Sequence, residues 1–141
     1  MSKAYEFLKE CGYFYVLTIN GDFPAGRPFG AVMEYDGKLF ISTSDGNKVH
    51  KQLRDNGNIQ ILAKKEQTRE WLRITGKATE CNDIKTKQKM LDLGYLTNCI
   101  HKNTFLQNIK ILLDLKLSLG LMIYSIKQTG FHFNRFFIRR Y

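Results

Sequence analysis

The chain has 141 residues, 43% hydrophobic and 25% charged, with a formal net charge of +9. That is the length and composition of a single globular domain able to bury a core without staples, and only two prolines exclude a linker-rich or disordered chain. Cys11, Cys81 and Cys99 show neither CxxC nor metal-ligand spacing, which excludes a disulfide framework and points to no metal site.

The N-terminal stretch MSKAYEFLKE contains acids and no long apolar core, so it does not read as a secretory signal, and a cytoplasmic location is expected. The longest apolar run, residues 109–124, carries Lys110, Asp114 and Lys116; it is too charged and too short to span a bilayer, and no membrane partner is expected. The charge is uneven: residues 1–96 hold 15 Lys and Arg against 12 acids, whereas residues 97–141 hold 7 against Asp114 alone. A basic surface attracts nucleic acid or anionic metabolites. No helix presents a clustered Lys/Arg face and no nucleic-acid motif occurs, so a nucleic-acid-binding module is the weaker alternative.

In chain order, Ala4, Phe7, Leu8 and Cys11 fall on one helical face, with Ser2 to cap its start and Gly12 to end it. Tyr13 to Ile19 is β-branched and aromatic, hence a strand. Asn20-Gly21-Asp22 is a turn, and Pro24 to Gly26 reads as its continuation in a loop. Arg27 to Glu34 and Lys38 to Thr43 read as two strands of a hairpin around Asp36-Gly37. Ser44, Asp45 and Asn47 offer caps to a short helix whose buried edge is Val49 and Leu53, and Asn56-Gly57 stops it. Asn58 to Ala63 and Glu70 to Glu80 are further strands, with Trp71, Arg73 and Thr75 facing opposite to Leu72 and Ile74. Asn82 or Asp83 caps a helix to Leu93 with Ile84, Gln88 and Leu91 on one face. Leucines at 113, 115, 117, 119 and 121 alternate with polar residues or glycine, so residues 109–126 are expected to pair as a closing strand and the last ten residues to be peripheral. The missing acids after residue 96 leave two readings, a diverged closing segment or translation out of frame, and the clean alternation favours the first. Strands this closely spaced exclude a helix between each pair, so a mainly β, antiparallel barrel or sandwich follows.

The stretch STSDGNK sets Ser42, Thr43, Ser44, Asn47 and Lys48 between a strand end and a helix start. Hydroxyls, backbone donors and a cation in that order suit a phosphate; an ordinary solvated cap is the bland reading, and Asp45 would have to point away from an anion. His50, His101 and His132 are too dispersed for a metal site, and His50, two residues from Lys48, faces elsewhere.

Taken together, GRPFG, the aromatic strand ending in ISTS, the NKVHKQL helix and the WLRITGKA strand resemble the FMN-binding split-barrel family related to pyridoxamine 5'-phosphate oxidase, in its nitroimidazole-resistance (NimA/NimC-like) branch. The resemblance covers residues 3 to about 93. It implies an antiparallel split β-barrel of about six or seven strands with short flanking helices, mainly β (α+β), as one domain over 1–141 with 97–141 an atypical closing segment. It implies FMN as cofactor. Arg27 would reach the flavin phosphate or ribityl chain, and Pro28, Phe29 and Gly30 would line the ring edge. Ser42, Thr43 and Lys48 would hold the phosphate, with Asn47 where relatives often have arginine. Gln52, one turn after Lys48, would face the same groove. Trp71 and Leu72 would contact the ring across a homodimer, Trp71 being otherwise a core residue. The implied activity is an oxidoreductase passing electrons from a nicotinamide to a small electrophile such as a nitroaromatic; a non-catalytic flavin- or haem-binding protein is the alternative. The arginine-and-histidine segment of true B6 oxidases is not recognisable, since His132 precedes Arg135. Catalytic residues are not assigned: with no Ser-His-Asp or paired-carboxylate pattern, a flavin would carry the chemistry.

Overall fold

A computed structural model describes residues 1–94 and 121–134. Three helices, α1 (Lys3–Cys11), α2 (Lys48–Asp55) and α3 (Ile84–Asp92), accompany seven strands: β1 (Phe14–Asn20), β2 (Phe23–Phe29), β3 (Val32–Tyr35), β4 (Lys38–Ser44), β5 (Asn58–Lys64), β6 (Trp71–Cys81) and β7 (Leu121–Asn134). All strand pairs are antiparallel, in the order β2-β1-β5-β6-β7-β4-β3. Among the described residues no helix is long and apolar enough to cross a membrane.

The edge strands β2 and β3 are joined by Gly30 and Ala31 alone. Three extended residue steps reach roughly 11 Å, whereas the edges of a flat seven-stranded sheet stand about 29 Å apart at ordinary strand spacing. The sheet therefore curls into a half-barrel, the split-barrel architecture the residue pattern implied. The expected single strand over Arg27 to Glu34 is in fact two, broken at Gly30-Ala31 where the chain crosses from one edge to the other. Pro24 to Gly26 lies inside β2 rather than in a loop. An edge strand pairs on one side only, and Pro24 and Pro28, four apart, turn their missing N–H the same way.

Local chemistry sets the turns. Asp36 (φ 51°) and Gly37 (φ 68°) form the two-residue link of the β3–β4 hairpin, where both central residues are left-handed. Ser2 caps α1 by accepting from the Tyr5 N–H at 3.3 Å, and its own N–H donates to Glu34 of β3 at 2.8 Å. Asp83 caps α3, accepting from the Thr86 N–H at 2.8 Å.

Period-two alternation divides the sheet into faces. Phe14, Val16, Ile59, Ile61, Leu72, Ile74, Tyr124 and Ile126 point inward and pack with Phe7 and Leu8 of α1 and Val49 and Leu53 of α2. Helix α3 covers the outer face of β3: Lys89 sits 4.5 Å over the Tyr35 ring, and Thr86, Met90 and Leu91 are its buried residues. The sequence pattern put Ile84, Gln88 and Leu91 on the buried face, yet Ile84 is 72% exposed, because the helix seats one turn-step away to cover β3.

The closing strand is β7, between β6 and β4. It starts where the alternating leucines end; residues 109–120 and 135–141 lie outside those described. Residues 132–134, expected to be peripheral, instead extend the ladder, with Arg73 opposite His132 and Trp71 opposite Asn134. This central pairing favours a genuine closing segment. The β6–β7 register shifts at Thr75/Gly76, and a Cβ at buried Gly76 would stand 2.6 Å from the Lys127 carbonyl oxygen. Gly76→Ala is expected to cost about 1–3 kcal/mol by overpacking, read as a lowered urea midpoint with unchanged slope.

Candidate functional site

Helix α2 is tied to four different strands by three polar side chains. Near its start, Asn47 forms no side-chain cap; its Nδ2 donates instead to Thr43 Oγ1 at the end of β4, at 3.1 Å. In the first turn, buried His50 meets the Tyr124 hydroxyl of β7 through Nδ1 at 2.6 Å, and that hydroxyl also lies 3.3 Å from the His50 carbonyl oxygen. One turn further, Gln52 Oε1 accepts from Thr18 Oγ1 of β1 at 2.7 Å and from Arg27 Nη2 of β2.

Arg27 is half-buried, and burial lowers its pKa from the usual value without displacing it from the charged form. Its Nη1 donates to Thr18 Oγ1 at 2.6 Å, to the Ala25 carbonyl at 3.1 Å and to the Val16 carbonyl at 3.2 Å. The barrel thus buries one face of a guanidinium by giving it a neutral oxygen for each N–H it sequesters, as a buried charge requires. Lys48, the first residue of α2, is exposed and makes no ion pair among the described residues. It lies one helical turn, about 6 Å of rise, before Gln52, the residue through which Arg27 of β2 reaches α2.

Other expected residues are placed less uniformly. Ser42 is buried and Thr43 half-buried on opposite faces of β4. Thr43 shares the inner face with Leu39 and Ile41 of the core, so the hydroxyl pair cannot act as one unit. Pro28 is exposed, and Phe29 packs on Phe14 with centroids 6.4 Å apart. Gly30 lies in the link between the edges. Gln52 is buried against β1 and β2, whereas Lys48, one turn before it, is exposed. Leu72 is fully buried in the core, so its side chain is not available to a ligand. Trp71 is half-buried on the outer face, with His132 5.6 Å away between ring centroids and the Arg73 guanidinium 5.8 Å from its centroid. Asp45 is exposed, and the Ser44 hydroxyl donates to it at 3.4 Å.

Two participants were not singled out from sequence, and a third, His132, was named there without its neighbours on the sheet. Thr18 reads as one more β-branched strand residue, and only its place diagonal to Arg27 on the inner face, opposite Ala25, gives it a role. Tyr124 falls within the predicted closing strand but carries no motif. His132 alternates with Phe131 and Phe133, a short period-two signal outweighed by the longer leucine alternation before it.

These features coincide with a known family. Residues 2–102 match the pyridoxamine 5'-phosphate oxidase family model, and the chain belongs to that family. Among solved structures, a NimC/NimA family protein from Clostridium acetobutylicum is 32% identical, with a TM-score of 0.71, over 92% of this chain and 81% of that one. A putative pyridoxamine 5'-phosphate oxidase from Listeria innocua is 14% identical, TM-score 0.69, over 93% and 94%. A protein from Mesorhizobium loti named as FAD-binding is 16% identical, TM-score 0.61, over 93% and 92%. The last two show likeness of fold. No curated protein matches the sequence.

The Tyr124 hydroxyl is pushed up to about 12, first by burial and then by the Glu80 carboxylate, with Arg54 opposing. An unfolded tyrosine ionises near 10. The folded state therefore holds this proton through a window in which the unfolded state loses it, and the stability it contributes is present below about pH 10 and lost as pH rises toward 12. Between pH 9 and 12 the urea midpoint of the native protein is expected to fall more steeply than that of Tyr124→Phe, which is itself weaker at neutral pH because His50 Nδ1 loses its partner.

Proposed function

We propose that this protein is a homodimeric FMN-binding oxidoreductase that takes electrons from a nicotinamide and passes them to a small electrophile such as a nitroaromatic. The observation that carries the flavin reading is the union of Arg27 with α2 through Gln52, which brings a half-buried guanidinium beside the helix that opens with Lys48. A phosphate monoester asks for such a donor set: fixed guanidinium N–H groups, a mobile ammonium and a strand-end hydroxyl. Arg27, Thr43 and Lys48 would hold the phosphate, and Ser42, on the other face of β4, would offer it only backbone groups. Asn47, bonded to Thr43, supplies no charge where relatives often carry arginine. Pro28, Phe29 and Gly30 would offer backbone groups along the ring. The bound flavin would supply the two-electron redox chemistry, and the protein its position and electrostatics. Membership in the family, and a fold neighbour named as FAD-binding, support a flavin; the absence of a Rossmann GxGxxG favours FMN over FAD.

The sheet's faces support the dimer. Trp71 lies on the outer face and Arg27 on the inner, so one protomer cannot bring both side chains to one ligand through its own sheet. Trp71 would then serve the neighbour's site, with Leu72 contributing only its backbone. Exposed aromatic residues are hard to cover in a small barrel, and by sequence Tyr13, Phe14, Phe29 and Trp71 are the candidates for such a face. Phe14 is in fact a core residue at 1% exposure, and the outer face of β1 and β5 instead presents Tyr15, Ile19 and Leu62. Tyr15 and Leu62 are cross-strand partners, which makes a continuous apolar strip suited to a second copy.

The purified protein is expected to be yellow, or to bind added FMN in calorimetry, and Lys48→Ala is expected to weaken FMN about tenfold or more, the loss of one charge-assisted contact. Persistent absence of flavin binding refutes the cofactor. Turnover of FMN-loaded protein with NADH or NADPH and an acceptor panel separates an enzyme from a flavin-storage protein, which shows a bound-flavin spectrum alone. Light scattering at micromolar concentration is expected to give twice the 16.4 kDa chain mass, and Tyr15→Lys with Leu62→Lys to give the monomer.

A further inference from the structure

The head group of Arg27 belongs to a closed hydrogen-bonded ring. Nη1 donates to Thr18 Oγ1, Thr18 Oγ1 donates to Gln52 Oε1, and Nη2 donates to the same oxygen. One N–H from each Nη closes the ring, so it occupies the end edge of the guanidinium. The carbonyl oxygens of Val16 and Ala25 serve Nη1 as well. A guanidinium carries five N–H donors in a fixed planar fork. The Nε–H and the second Nη2 hydrogen, side by side on the remaining edge, have no partner among the described residues.

The ring has one consistent polarity. The Thr18 hydroxyl has a single hydrogen, which goes to Gln52, so it must accept from Arg27. A reversed Gln52 amide would set its NH2 against both the guanidinium and the hydroxyl. Thr18 is 2% and Gln52 7% exposed, so swinging Arg27 away would leave the buried Thr18 oxygen without a donor and take from Gln52 Oε1 one of its two. The arrangement fixes the guanidinium plane and spends its N–H groups unevenly: one edge is locked to the protein and one is left over.

We infer that Thr18 and Gln52 are positioning residues for Arg27, holding its Nε–Nη2 edge ready for two oxygens of one oxyanion. Gln52 then acts through Arg27 and not as a ligand contact. The inference rests on the flavin reading only for the identity of that oxyanion, the FMN phosphate; a free phosphate presents the same oxygens.

The test follows the Arg27 Nε–H in the full-length protein by nitrogen-15 NMR, with the signal assigned by its loss in Arg27→Met. The native protein is expected to show a single Arg27 Nε–H signal that shifts saturably with inorganic phosphate. Gln52→Met and Thr18→Val, which keep volume while removing polar atoms, are expected to move or broaden that signal, because the guanidinium loses its fixed orientation, and to weaken phosphate and FMN by roughly tenfold. Thr18→Ser, which keeps the hydroxyl, is expected to stay within about twofold of native. In an Arg27→Met background, Gln52→Met is expected to change FMN affinity by less than about twofold, because its partner is gone. An Arg27 signal untouched by both Gln52→Met and Thr18→Val overturns the inference, as does an equal loss of FMN affinity with and without Arg27, or a native Nε–H that ignores phosphate. Should Gln52→Met not fold, the contrast between Thr18→Val and Thr18→Ser decides the matter alone. Should FMN fail to bind while the phosphate response persists, the flavin reading falls and the positioning role stands.

Discussion

Two residues, Gly30 and Ala31, have to carry the chain from one edge of a seven-stranded sheet to the other. That connectivity leaves the sheet no choice but to curl, and the rest of the structure answers to the curl. It creates an inner face that the side chains of all the central strands share, and it sends β2 and β3, neighbours in sequence, to opposite edges. It also makes inside and outside unequal: α1 and α2 contribute to the inner core, while α3 covers the outer face of β3 and leaves the outer face of β1 and β5 with exposed Tyr15, Ile19 and Leu62. A flat sheet with the same strands would offer two similar faces and no reason for the apolar strip to be on one side.

An inner face lined by Val, Ile, Leu and Phe is a costly place for polar atoms unless each finds a partner. Thr18, His50 and Gln52 are buried there, and each is bonded: Thr18 and Gln52 to each other and to Arg27, His50 to Tyr124. Among the described residues no buried side-chain nitrogen or oxygen lacks a hydrogen bond. These bonds are directional where apolar packing is not, so they set the rotation and depth of an eight-residue helix too short to be stable alone. The same bonds place the helix that begins with Lys48 beside Arg27. The bonds that satisfy the core are thus the same ones that hold Arg27 beside α2.

The closing strand is as central as any. The segment poorest in acids supplies β7, which pairs with β4 on one side and β6 on the other, and its Tyr124 is 1% exposed and joins the first turn of α2. A strand in that position completes the core and fixes α2 from the side opposite Arg27. Its far end brings His132 to the outer face beside Trp71 and Arg73, a basic aromatic cluster on the face that a second protomer would meet.

The sequence by itself determined what depends on near neighbours. The caps Ser2 and Asp83, the left-handed stop at Gly12, the Asp36-Gly37 hairpin and the opposed faces of Trp71 and Leu72 are each settled by a few residues, because a cap, a turn or a pleat is a local geometry. Pattern and motif order together also made the family legible. What required the tertiary structure is whatever depends on which strands meet. The break at Gly30-Ala31 is invisible in a run of strand-forming residues, since only the sheet order says that its two halves lie at opposite edges. The buried face of α3 depends on seating over β3, not on periodicity. Gln52 and Lys48 are one turn apart and looked alike, yet Gln52 is buried because Thr18 and Arg27 stand across from it on strands more than twenty residues away. The same reason hid the His50–Tyr124 couple: a hydrogen bond across 74 residues of chain leaves no spacing to read, and its partner is chosen only when the sheet closes.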